Sequence, residues 1–169
     1  MRTLSVIITL VVAFTFAPFY GLSQSVHKVS YKKRKMVPRA KFVDLKGKTV
    51  KLSDFKGKVV YVDVWASWCN PCFKAFPSLQ ILEQEYNGKE IVFLSLNADE
   101  KKKKWKKTVR KKKVPGTHVW VGKDRSFLDK MTIITYPRYM LIDKEGRIYS
   151  KNADTPYNVR KELNRLLNE

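Results

Sequence analysis

The chain has 169 residues, with 35 Lys and Arg against 15 Asp and Glu, a formal net charge of +20. That length allows one domain with a real core, and a positive excess of this size points to nucleic acid, an anionic membrane surface or an acidic partner. No RNP, zinc-finger or helix-turn-helix pattern accompanies the charge, which argues against nucleic acid. The two cysteines have no second pair, and His27 and His118 lack ligand spacing to them, so no metal site is expected.

Residues 1–23 have the layout of a secretory signal. Arg2 supplies the positive start, Leu4 to Ala17 an apolar run, and Gly21 and Ser23 small residues at −3 and −1 of a cleavage site. The alternative is an uncleaved membrane tether, for which the run is short. Both readings place the domain outside the cytoplasm, in the periplasm or cell envelope, where disulfide chemistry is expected. Residues 24–38 are polar and basic, with Lys32-Lys33-Arg34-Lys35, and read as a flexible lead. The domain is expected over 39–169.

Lys41–Leu45 and Thr49–Leu52 alternate apolar and polar around a Gly-containing turn and predict a β-hairpin. Ser53–Lys58 is a turn or a single helical turn. Val59–Val64 is short and β-branched, the pattern of a buried strand. It contains Asp63, a carboxylate that is costly in an apolar strand without a partner or a task. The other reading turns Asp63 outward or gives it a structural hydrogen bond.

Next comes Trp65-Ala66-Ser67-Trp68-Cys69-Asn70-Pro71-Cys72, which holds the only two cysteines. The apolar positions from Phe73 through Phe76, Leu79, Ile81 and Leu82 to Tyr86 predict a helix over about 71–86. Asn70 or Ser67 could cap it, and Pro71 is tolerated in its first turn. Pro77 should kink it. Cys69 then sits at a strand-to-helix turn. The helix N-terminus carries partial positive charge, which favours thiolate over thiol. A thiolate with a second thiol three positions on can attack a disulfide and then resolve the mixed disulfide. A purely structural bridge closing so small a loop would constrain little of the unfolded chain.

Glu90–Asn97 predicts a second buried strand after the Asn87-Gly88 helix stop. Lys101 to Lys113 contains ten Lys or Arg, with Trp105 and Val109 as apolar contacts. This run is either a solvated helix face or a docking patch for anionic membrane or an acidic partner. Asp99 and Glu100 before it suit the helix dipole. Thr117–Val121 predicts a short strand and Asp124–Met131 a short helix. Tyr136-Pro137 precedes a further apolar strand. Lys144–Arg147 is a hairpin turn, and Pro156 should open the last helix.

Trp65 to Cys72 resembles the active site of thioredoxin-fold thiol-disulfide oxidoreductases. The similarity is greatest to the exported TlpA/ResA-like branch and runs from about Pro38 to the C-terminus. It implies an α/β thioredoxin-like fold: a central mixed β-sheet flanked by helices, with an N-terminal β-hairpin extension. It implies exported thiol-disulfide exchange, most simply reduction of substrate disulfides. Cys69 would be the nucleophile and Cys72 the resolving thiol. Asp63 matches an acidic residue of thioredoxins that takes the proton from the second thiol. Pro137 matches their cis proline. Trp68, Asn70, Pro71, Tyr136 and Pro137 would line the substrate groove, and Trp65 with Trp68 would shape its rim. No cofactor beyond the cysteine pair is implied. The implied partners are protein or peptide disulfides and a membrane dithiol that supplies electrons. The competing functions are a thiol peroxidase, whose Thr-x-x-Cys setting is broken by Ala66, and a binding protein with a static bridge.

Overall fold

The computed structural model describes residues 34–169. The expected leader and residues 24–33 of the basic lead lie outside these. The sheet has seven strands: β1 (Phe42–Asp44), β2 (Thr49–Val50), β3 (Val59–Trp65), β4 (Ile91–Asn97), β5 (Thr117–Trp120), β6 (Arg138–Ile142) and β7 (Ile148–Ser150). Their order across the sheet is β2-β1-β5-β4-β3-β6-β7. The centre, β5-β4-β3, is parallel, and both flanks are antiparallel. Among the described residues there are four α-helices, α1 (Asn70–Glu85), α2 (Lys102–Lys112), α3 (Ser126–Lys130) and α4 (Arg160–Leu167), and one short 3-10 turn over Leu52–Phe55. This is the α/β thioredoxin-like arrangement with its hairpin extension.

Every residue of β3 is buried, as its β-branched run requires. Its alternation divides the core. Val60, Val62 and Val64 face one way, into a cluster with Leu94, Leu96, Met140 and α3's Phe127. Val59 and Tyr61 face the other way, against Leu79 and Leu82 of α1 and Leu163 and Leu166 of α4. Period-two alternation puts both layers to use from a single strand. The hairpin does not stand apart from the domain. β1 pairs with β5, placing Val43 opposite Trp120, and so extends the sheet.

Several boundaries differ from expectation. The described start of the lead is held to the opposite edge of the sheet. Ile148 N–H donates to Lys35 O at 2.8 Å and Val37 N–H to Gly146 O at 3.1 Å. Arg34 also pairs with the buried Asp143 at 3.2 Å and with Glu169 at 2.8 Å. Edge-strand groups and an acidic pair thus fix residues 34–38, which composition alone marks as polar linker. Ile81 is exposed and not on the buried face of α1. Pro77 lies inside α1 without ending it. Pro156 precedes the last helix by a turn, where Asn158 and Val159 N–H both donate to Thr155 O, and α4 starts at Arg160.

Candidate active site

The site forms where β3 runs out. Trp65 ends the strand, and its indole N–H donates to Ser95 Oγ at 2.8 Å. Ala66 to Cys69 turn the chain, and α1 begins at Asn70. Cys69 itself is the N-cap, in place of Asn70 or Ser67. Its backbone is extended, and its Sγ accepts the Cys72 N–H at 3.2 Å. A sulfur in this position receives the hydrogen bond that a Ser or Asp oxygen makes at other helix starts. Pro71 falls in the first turn, where its missing N–H leaves no intrahelical bond unmade.

Cys69 and Cys72 are joined as a disulfide with Cα atoms 5.4 Å apart. Both are covered, Cys69 at 3% exposure and Cys72 at 1%. They pack in a cluster with Trp65, Phe76, Trp105 and Trp120, against which Phe73 and Tyr136 also lie. Asn70 and Pro71 are exposed beside them. Trp68 is the open feature of the loop, 63% exposed, and its ring meets that of Tyr136 edge-on at 5.6 Å. Trp65 is fully buried and forms no part of the rim, because its indole is taken by Ser95 and by the rings of Phe73 and Phe76.

Tyr136 and Pro137 reach this place from the far side of the sequence. The Tyr136–Pro137 peptide is cis. The strand β6 that follows pairs antiparallel with β3, Arg138 against Val64. The loop before β6 therefore lies at the end of the sheet where β3 gives way to the cysteine loop.

Asp63 is 3% exposed. It occupies the β3 face of Tyr61 and Trp65, between Ser95 on β4 and Tyr139 on β6. That is the face covered by α1, so the outward reading is excluded. Burial pushes its carboxyl up to about 7. The same burial, with Asp63 adding to it, raises the Tyr139 phenol above its ordinary value.

Two residues of the site are not among those expected. Asp99, also 3% exposed, accepts from both the N–H and the hydroxyl of Ser67, each at 3.0 Å. It is not at the helix dipole, since α2 starts three residues later with Lys101 as its cap. Asp99 N–H donates to Asn97 Oδ1 at 3.0 Å, and the Trp120 indole donates to Asp99 O at 2.6 Å. The local signal was the Asn97-x-Asp99 pair directly after a buried strand. Arg125 is the second. Its guanidinium donates to Ala98 O at 3.0 Å and to the Tyr136 hydroxyl at 3.1 Å, tying Tyr136 to the residue after β4. Nothing local in the sequence marks it.

The Redoxin family model matches residues 32–167. A thiol-disulfide oxidoreductase ResA of Bacillus thuringiensis is 34% identical over 116 residues, 68% of this chain. The matched stretch covers just under two thirds of that relative's length, 65%. The thioredoxin domain of a Bacteroides vulgatus thiol-disulfide oxidoreductase superposes with a TM-score of 0.72 at 28% identity, covering 79% of this chain and 96% of that one. A thiol:disulfide interchange protein from a Bacteroides species gives 0.71 at 29% identity, covering 80% and 90%. With its cysteine pair at the head of α1 and its thioredoxin-like sheet, the chain belongs to the Redoxin family and is related to the ResA-type thiol-disulfide oxidoreductases.

Proposed function

We propose that the protein exchanges its Cys69–Cys72 dithiol with disulfides of protein substrates, and that it works as a reductant outside the cytoplasm. The observation that carries this reading is Cys69 as the cap of α1, with its sulfur at the helix N-terminus and the Cys72 N–H directed at it. Helix N-terminal N–H groups favour negative charge on that sulfur. In the reduced protein, the Cys69 thiolate attacks one sulfur of the substrate disulfide. An S–S bond forms between them, and the other substrate sulfur leaves as thiolate. Cys72, as thiolate, then attacks Cys69 Sγ and releases the second substrate thiol. Two electrons pass to the substrate, and Cys69–Cys72 is left oxidised. An external dithiol must restore it by the same two exchanges in reverse.

Asp63 accepts the Cys72 proton for the second step. A carboxyl held near 7 by burial can take a proton at neutral pH and return it, which an ordinary carboxylate does poorly. Asn70, Pro71, Trp68, Tyr136 and Pro137 form the wall against which the substrate chain lies, and Tyr136 offers backbone groups to it. The signal-like residues 1–23 and the redox chemistry together support an exported domain, with the electron-supplying dithiol on a membrane partner.

Insulin reduction driven by dithiothreitol tests the reading. The protein should accelerate precipitation of the insulin B chain well above dithiothreitol alone, and Cys69→Ser should abolish the acceleration. A rate no higher than that of dithiothreitol alone would mean a static bridge.

A further inference from the structure

The basic run is the largest feature of the chain that thiol exchange leaves unused. It forms α2, and its apolar side is consumed inside the protein. Trp105 is fully buried and stacks on Trp120 with ring centres 6.4 Å apart, and Val109 is buried beside it. Both belong to the cluster that contains Cys69 and Cys72. The helix therefore shares the apolar cluster of the redox pair, and Lys and Arg dominate the rest of its surface. None of the ten Lys and Arg from Lys101 to Lys113 forms a salt bridge among the described residues.

The start of this helix shares a groove with the disulfide loop. Trp68, Tyr136, Lys101, Lys104 and Arg125 line it together, around about 520 Å³. Asp99 also lines the groove, with Oδ1 taken by Ser67 and Oδ2 buried without a hydrogen-bond partner, and Glu100 adds an exposed carboxylate, so three cations there stand against two acidic side chains. Further along α2, Lys102, Lys103, Lys106, Lys107 and Arg110 line a second hollow of about 560 Å³. Lysines this close together repel one another, and an anion placed among them relieves that repulsion.

We propose that this groove receives protein substrates whose residues beside the target disulfide are acidic, with Lys101 and Lys104 pairing to carboxylates while Trp68 and Tyr136 bear on the substrate backbone. The proposal rests on the thiol-exchange reading and adds the substrate class. A polypeptide is favoured over a bilayer on two grounds. The cations at the head of α2 lie in a concave groove with the exposed ring of Trp68, the residue before Cys69, and the half-buried Tyr136. In addition, no large apolar side chain is exposed on α2 to enter a membrane; among the described residues these are Met36, Trp68, Ile81, Ile134 and Tyr157.

The test uses the reduced protein and two short cyclic peptides, each closed by one disulfide. The peptides are identical except that Glu flanks the cysteines in one and Lys in the other. Each rate is divided by that of dithiothreitol with the same peptide, which cancels intrinsic reactivity. The normalised rate should favour the Glu peptide by about tenfold or more at about 0.05 M salt. The preference should shrink to about twofold at about 0.5 M, where screening is short-ranged. Lys101→Gln with Lys104→Gln should lower the Glu-to-Lys ratio several-fold, and Lys161→Gln on the exposed side of α4 should leave it unchanged. Equal normalised rates for the two peptides at low salt would overturn the proposal. Equal rates together with co-sedimentation on anionic phospholipid vesicles would reassign the face to a membrane. Hydroxyethyl disulfide, which is uncharged, separates the two levels. No reaction with it overturns thiol exchange itself, whereas reaction with it and no peptide preference overturns only the acidic substrate class.

Discussion

Asp99 and Ser67 meet through two hydrogen bonds of 3.0 Å, one to the Ser67 N–H and one to its hydroxyl. Asp99 follows β4 and Ser67 follows β3, two residues ahead of Cys69. One carboxylate thus fastens the redox loop to the neighbouring strand end.

Removing that carboxylate should loosen the loop. Asp99→Ala leaves the Ser67 N–H without a partner, a cost of about 1–3 kcal/mol. Denaturant unfolding at fixed pH checks it. Asp99→Asn retains an accepting oxygen and should cost clearly less. Insulin reduction should fall in the same order, Ala below Asn below wild type. Equal stability of the alanine variant and wild type would show that the loop is held by other contacts.

The proton role proposed for Asp63 is testable in pH profiles of both rate and stability. Its folded value, about 7, lies above the ordinary 3.8. Between those limits the folded protein binds more protons than the unfolded chain, so stability falls as pH rises through that window. The full cost above pH 7 corresponds to on the order of 4 kcal/mol. Asp63→Asn should therefore be more stable than wild type at pH 8 and nearly the same at pH 4. It should also slow disulfide exchange by about ten- to a thousand-fold near neutrality. An unchanged rate from pH 6 to 9 would sink the proton-acceptor role while leaving the stability prediction intact.

The roles proposed for Cys69 in attack and Cys72 in resolution predict different trapping. Cys72→Ser should accumulate mixed disulfides with substrate through Cys69, because nothing resolves them. Cys69→Ser should accumulate almost none, since the remaining thiol is the one without the helix-cap position. Non-reducing gels and mass spectrometry after acid quench count the adducts. Equal trapping by both variants would reverse or merge the assignments.

Trp68 carries an exposed ring against Tyr136 and few interior contacts. Trp68→Ala should change unfolding free energy by no more than about 0.5 kcal/mol, as for other surface sites. Its kcat/KM toward a peptide disulfide should drop by about tenfold, while reaction with hydroxyethyl disulfide changes far less, because only the longer substrate needs the wall. A parallel loss on both substrates would place Trp68 in loop structure and not in recognition.

Local patterns determined a large part of this protein. The run Val59–Val64 had to be a buried strand because alternating β-branched side chains fill both faces of a sheet. The cysteine pair with Pro71 had to head a helix because only there does proline cost no hydrogen bond. The hairpin, β4, the basic helix and the Tyr136-Pro137 loop were legible for the same kind of reason, which acts over neighbouring residues.

Tertiary structure decided what depends on partners far away in sequence. Ile81 fits the helical apolar stripe yet faces solvent, because α1 presents only one side to the sheet. Trp65 looks like a rim residue beside Trp68 but is buried by Ser95, Phe73 and Phe76. Asp99 looks like helix-start chemistry and instead holds Ser67, 32 residues away. Arg34 looks like linker and pairs with Asp143, 109 residues away. Spacing along a chain fixes which side of an element a residue occupies. Which sides are covered, and which buried polar groups find each other, follows only from how the elements pack.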